Sequence, residues 1–307
     1  MKREATRARV APMVFGLLAQ REAAVAQSSM LPAELLVLVS DYAKEFADLP
    51  VALKLTIKKG RVICVDEESG VCFITDEFWT SESRLRSFPL CVPEACRVID
   101  ARAFQFIVGL AVNSARGWLF VLDAEAAFLY RICIGDGRWL GECKLQAPTA
   151  LCFDAVKEAP IVALANRSVY FLTPDGGELM AKCFVLPGDF EANCMAVMSA
   201  HRRLFLGSRG SGFIYVVDLN DGALLKRIWT RAPARALALD NTRYLLFMLA
   251  ASSIHVYKAD DGALLRVERS DSVMDGIAYL ERYDCLALCG DTVSFQATVL
   301  TDAEKDK

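Results

Sequence analysis

The chain has 307 residues, 54% of them hydrophobic and 24% charged, with a formal net charge of −3. That composition excludes a disordered chain, and a slightly acidic balance offers no clustered basic face for nucleic acid. No apolar run approaches the roughly 18 residues of a spanning helix, so no membrane insertion is expected and the high mean hydropathy is assigned to buried strands.

Residues 1–30 read as a flexible tail, with a targeting segment as the alternative. Lys2, Arg3, Arg7, Arg9 and Arg21 oppose only Glu4 and Glu22, and Pro12 and Gly16 interrupt the apolar stretch from Val10 to Ala19. Residues 31–50 follow helical spacing, with apolar side chains at 31, 35, 38, 42, 46 and 49. Ser28 or Ser29 can cap this helix, Pro32 suits its first turn and Pro50 ends it. The string Leu31-Pro32-Ala33-Glu34-Leu35-Leu36 resembles the opening of an F-box, the helical module that docks a substrate receptor onto a cullin ubiquitin ligase. The resemblance implies an adaptor-binding role for Leu35 and Leu38. It covers one helix, because strand-like sequence begins at Val51.

From there the sequence repeats. Asp221-Gly222-Ala223-Leu224-Leu225 returns as Asp261-Gly262-Ala263-Leu264-Leu265, and Ile214-Tyr215-Val216-Val217 returns as Ile254-His255-Val256-Tyr257, both at an offset of 40 residues. A strand-rich repeat of that period predicts β-propeller blades. Six compact apolar runs are expected to be the third strands of six blades: Val71–Ile74, Trp118–Leu122, Val169–Leu172, Ile214–Val217, Ile254–Tyr257 and Val293–Phe295. In the third blade, Ala150–Phe153 is the expected inner strand, Ile161–Ala165 the second and Leu179–Phe184 the outer, with Asp175-Gly176 supplying a hairpin turn. The fold class is thus all-β, a six-bladed β-propeller over residues 51–300, with a short N-terminal helical segment and a polar tail at 301–307. Val51–Ile57 can either complete the last blade or open the first.

Gly135-Asp136-Gly137-Arg138-Trp139, followed by Ala147-Pro148-Thr149-Ala150-Leu151-Cys152-Phe153-Asp154, resembles the junction of an NHL-type propeller repeat. The fourth and fifth blades resemble the YVTN and WD40-like class equally. Some NHL-like propellers are metal-dependent lyases or hydrolases. The resemblance therefore implies an alternative in which Asp100, Asp154 and Asp240, near expected inner strands, meet at a channel metal.

The residues favour a simpler reading. His201 and His255 are too few for a three-histidine zinc site; His201 falls on a turn and His255 inside a strand. The 11 cysteines form no C-x-x-C pair and lie largely in apolar runs, as reduced buried thiols do. They favour the cytoplasm, with the mitochondrion as the alternative set by the N-terminal segment. Gly207–Gly212 is a glycine-rich loop without the following helix of a phosphate-binding loop. The expectation is a protein–protein interaction scaffold without a cofactor. Candidate contacts are Trp139, Arg209, Trp79 and Phe78, aromatic and arginine side chains being the usual binding anchors.

Overall fold

A computed structural model describes residues 55–56, 60–77, 83–90, 96–188, 190–270 and 273–298. The expected helix over 31–50, with Leu35 and Leu38, lies outside the described residues, as do Phe78 and Trp79.

Among the described residues, 24 strands form six four-stranded antiparallel sheets. The first blade runs β2 (Ile63–Asp66), β3 (Val71–Glu77), β4 (Ser83–Pro89) and β5 (Arg97–Phe104), from inner to outer. The second runs β6 (Ile107–Asn113), β7 (Trp118–Asp123), β8 (Phe128–Cys133) and β9 (Trp139–Lys144). The third is β10 (Pro148–Asp154), β11 (Ala159–Leu164), β12 (Ser168–Leu172) and β13 (Leu179–Val185). The fourth is β14 (Cys194–Met198), β15 (Arg203–Gly207), β16 (Phe213–Asp218) and β17 (Leu224–Trp229). The fifth is β18 (Ala236–Asp240), β19 (Leu245–Leu249), β20 (Ser253–Lys258) and β21 (Leu264–Arg269). The sixth joins β22 (Met274–Leu280), β23 (Cys285–Gly290) and β24 (Thr292–Ala297) to β1 (Leu55–Thr56), which comes from far earlier in the sequence. Leu55 pairs with Val293 and Thr56 with Thr292. Of the two roles open to the segment around residue 55, the structure takes ring closure, which gives β24 a partner on its outer edge.

Two of the six expected third strands are shifted by one. Val71–Ile74 and Trp118–Leu122 lie in β3 and β7, the second strands of their blades. The third strands there are β4 and β8, whose arginines Arg84, Arg86 and Arg131 hide them from a search for apolar runs. The Gly135-Asp136-Gly137 run is also corrected. It is the hairpin turn between β8 and β9, not a connector between blades.

The core is divided into wedges between neighbouring blades. One packs Phe171 of β12 with Leu204 and Tyr215 of the next blade; another packs Phe205 and Ile214 with Leu246 and Tyr257. Phe73, Phe120, Phe205 and Phe247, all on second strands, are fully buried, and burying each stabilises the fold by about 1.5–3 kcal/mol. Both faces of a blade pack on a neighbour, so middle strands lose the alternation of a half-exposed sheet; β11 is buried at every position.

Turn chemistry sets the spacing between blades. Asp136-Gly137, Asp175-Gly176, Asp221-Gly222 and Asp261-Gly262 each join a third strand to a fourth, with glycine φ between +70° and +77°. Each aspartate accepts a hydrogen bond from the N–H two residues on, at 2.8–3.2 Å. A Cβ on Gly222 or Gly262 would meet Phe184 or Ile228 of the preceding blade at 2.5 or 2.8 Å. Glycine is therefore required twice over, for its conformation and for the contact.

Candidate binding face at the channel mouth

In each antiparallel sheet, the beginning of the inner strand shares one face of the ring with the loop joining second to third strand. We call this the channel face. The opposite turn face carries the ends of the inner strands and the Asp-Gly hairpins.

The turn face is bonded from blade to blade. Arg116 pairs with Glu158 at 3.2 Å, Arg202 with Asp154 at 2.5 Å, and His201 Nε2 lies 2.9 Å from the Tyr244 hydroxyl. Arg243 bonds Asp240 at 2.5 Å, the Tyr279 hydroxyl at 2.6 Å, and Asp284. Glu67 accepts the N–H groups of Glu281 and Arg282 at 2.8 and 2.7 Å. Desolvation alone would raise the Asp284 pKa, but hydrogen bonds from Thr298 and Arg243 hold it below the ordinary carboxylate value.

Asp154 and Asp240 are fully buried at inner-strand ends, where their carboxylates bond turn N–H groups and an arginine. Asp100 lies on β5, an outer strand. The expected convergence of Asp100, Asp154 and Asp240 is thus not made, because the first blade is displaced by one strand from its sequence-based placement. Among the described residues no group of three His, Cys, Asp or Glu side chains is placed to hold a metal.

The channel face differs. The six inner strands begin around a cavity of about 290 Å³ lined by small and apolar residues such as Gly109, Ala150, Cys194 and Gly276. Five charged side chains reach it: Arg61, Arg209, Arg235, Glu191 and Asp275. Arg235 Nη1 bonds Asp275 Oδ1 at 2.7 Å across the fifth and sixth blades. The Arg61 guanidinium stacks over Phe106 at 4.2 Å. Arg209 sits on the loop from β15 to β16, which is held by Arg209 N–H donating to Asn193 Oδ1 at 3.0 Å and Ala234 N–H donating to the Ser208 carbonyl at 3.1 Å. Among the described residues, the Arg209 guanidinium makes no hydrogen bond or ion pair. Desolvation in the mouth, and next the charge of Arg61, push its pKa below the usual guanidinium value.

A second cavity of about 530 Å³ adjoins the first, sharing Glu191 and Asn193. Its wall is aromatic. Phe190 meets Tyr215 edge-on at 4.4 Å and stacks on Phe213 at 5.6 Å, while Arg227 lies 5.2 Å from the Tyr215 ring centroid. Beside it Trp229, 75% exposed, meets Phe213 edge-on at 5.8 Å. Phe213 and Trp229 are paired across β16 and β17, which places both at the channel-face end of the blade.

Of the contacts expected from sequence, Arg209 is on this face. Trp139 is not: it starts β9 and packs half-buried against Tyr130, 4.4 Å between ring centroids. Sequence reasoning missed Arg61, Arg235, Arg227, Phe213 and Trp229, because only the ring brings them together. Ser253, His255 and Tyr257 form a short polar row, with Ser253 Oγ 2.9 Å from His255 Nε2, but they line neither cavity. Nine of the described cysteines are free thiols, and burial pushes the Cys194 and Cys285 thiols up to about 12.

The fold matches solved structures. The β-propeller domain of Cps50 (Swd1) from Myceliophteria thermophila aligns with a TM-score of 0.59 at 10% identity, over 80% of this protein and 98% of that one. The fold is a six-bladed β-propeller. In all, 1624 solved structures match, so the architecture is too widely shared to carry an activity with it. No family model matches the sequence, and no curated protein does.

Proposed function

We propose that this propeller is a non-catalytic platform that docks partner proteins on its channel face. The observation that carries the reading is the groove beside the channel mouth, where Phe213 and Arg227 overlie the buried Phe190 and Tyr215 and the exposed Trp229 stands at the edge. Rigid aromatics and arginine on a preformed concave surface are what binding hot spots are made of. The turn face instead directs its charged groups into blade-to-blade bonds. The test is a quantitative comparison of associated proteins between the wild type and Trp229→Ala/Arg227→Glu, with Val156→Asp on the turn face as control. Partners lost from the double variant and kept by the control support the platform. Equal recovery from all three overturns it.

The finer role of a substrate receptor for a ubiquitin ligase rests on the Leu31–Leu36 resemblance. It requires co-purification with a cullin adaptor that charged substitutions at Leu35 and Leu38 abolish while the propeller's melting is unchanged. We place this role in the cytoplasm on the strength of the cysteine usage.

A further inference from the structure

We propose that the channel mouth is a subsite for a single carboxylate of the docked partner, held by the arginines of the first, fourth and fifth blades. The proposal rests on the docking role above and names the chemistry of the group that enters the channel.

Charge and shape argue for it together. Arg61, Arg209 and Arg235 come from widely separated stretches of sequence, and the ring delivers them to one cavity. Two carboxylates accompany them. Asp275 is bonded to Arg235 at 2.7 Å, and Glu191 lies 3.4 Å from Asn193 Nδ2 at the boundary with the aromatic groove. Among the described residues that line the mouth, three guanidiniums face two carboxylates. A carboxylate brings a single negative charge to the arginines, whereas a phosphate dianion brings a second one against Asp275 and Glu191. A cationic side chain meets the same three arginines and is repelled.

Arg209 is the group placed to receive the anion. Its backbone is fixed by Asn193, and among the described residues its guanidinium makes no ion pair or hydrogen bond. Its depressed proton affinity agrees: desolvation is the largest cause, Arg61 and Arg235 act in the same direction, and Asp275 opposes them. A guanidinium offers a carboxylate two parallel N–H donors, a stronger and more directional contact than a point charge gives. The small and apolar floor suits the methylene stem behind a carboxylate. The aromatic groove next to it, sharing Glu191 and Asn193, lies where the rest of the partner's segment would run.

A carboxylate reaches the mouth either from a Glu or Asp side chain or from the partner's C-terminus. Small probes separate these without any partner: N-acetyl-glutamate N-methylamide, its glutamine counterpart, and acetyl-diglycine as free acid and as amide. Arginine side-chain N–H resonances of the intact protein are followed by NMR during titration. The expected result is saturable binding of at least one acid probe, at least tenfold tighter than its neutral counterpart and weakened as ionic strength rises. The acid that binds identifies the source. Arg209→Ala should lose at least tenfold at an unchanged melting temperature, and Arg209→Lys should fall between the wild type and Arg209→Ala. Equal response to acid and amide in both pairs overturns the proposal. So does tighter binding of inorganic phosphate, or preferential binding of N-acetyl-arginine N-methylamide. A platform that still loses its partners in Trp229→Ala/Arg227→Glu while binding no acid probe keeps the docking role and loses only this subsite.

Discussion

At Gly222 the backbone takes φ +77°, and the space a Cβ would occupy is already taken by Phe184 of the preceding blade. Two costs meet there for any other residue. The left-handed conformation costs about 1–2 kcal/mol, and crowding a packed side chain adds about 1–3 kcal/mol. Gly117 has φ +62° with no atom within 4 Å of its would-be Cβ, so only the first cost applies. Gly222→Ala is therefore expected to lower stability by about 2–5 kcal/mol and Gly117→Ala by about 1–2 kcal/mol. Urea unfolding of both variants measures the difference. Equal losses would mean that the Asp-Gly turn does not gauge the spacing between blades.

At the scale of the strand, the ends of the inner strands separate buried from exposed electrostatics. Asp154 is fully buried against Arg202, whose side chain is 17% exposed, whereas Arg116 and Glu158 are 41% and 51% exposed. Leaving one member of a buried pair unpartnered costs about 3–5 kcal/mol, while an exposed pair contributes about 0–1 kcal/mol. Asp154→Asn should destabilise by about 3 kcal/mol and Glu158→Gln by less than about 0.5 kcal/mol, read from chemical denaturation midpoints at equal slope. The same strands show what was legible in the sequence. From the third blade onward, the expected third strands match β12, β16, β20 and β24. In the first two blades, second strands stood in for third ones. Both kinds are buried on two faces, so periodicity cannot rank them: β7 is WLFVLD and β16 is FIYVVD. Arg209 could be found because glycines frame its loop. Arg235 and Trp229 could not, since one immediately precedes a strand and the other ends one, and neither position is marked until the strands are closed into a ring.

For the whole molecule, closure is the long-range event. β1 and β24 are joined by two residue pairs, Leu55 with Val293 and Thr56 with Thr292. Alternate residues of an edge strand donate to the ladder, so prolines at two successive positions remove the donor that faces β24. Leu55→Pro/Thr56→Pro should open β24 to solvent, lower the melting temperature by about 5 °C or more for a domain of this size, and produce concentration-dependent association through the freed edge. Calorimetry and light scattering read both. Unchanged melting and a concentration-independent mass would show that the sixth blade holds without its borrowed strand.

Closure also sets a timetable. The strand that seals the ring leaves the ribosome early, and its partner follows only after every other blade has been made. At about 5–20 residues per second, that interval lasts on the order of tens of seconds. During synthesis the first five blades can stack on one another as they emerge, but the nascent polypeptide carries an unmatched strand ahead of them throughout. Chaperone dependence in the cell should therefore follow the wait between those two strands more closely than the stability of the finished ring.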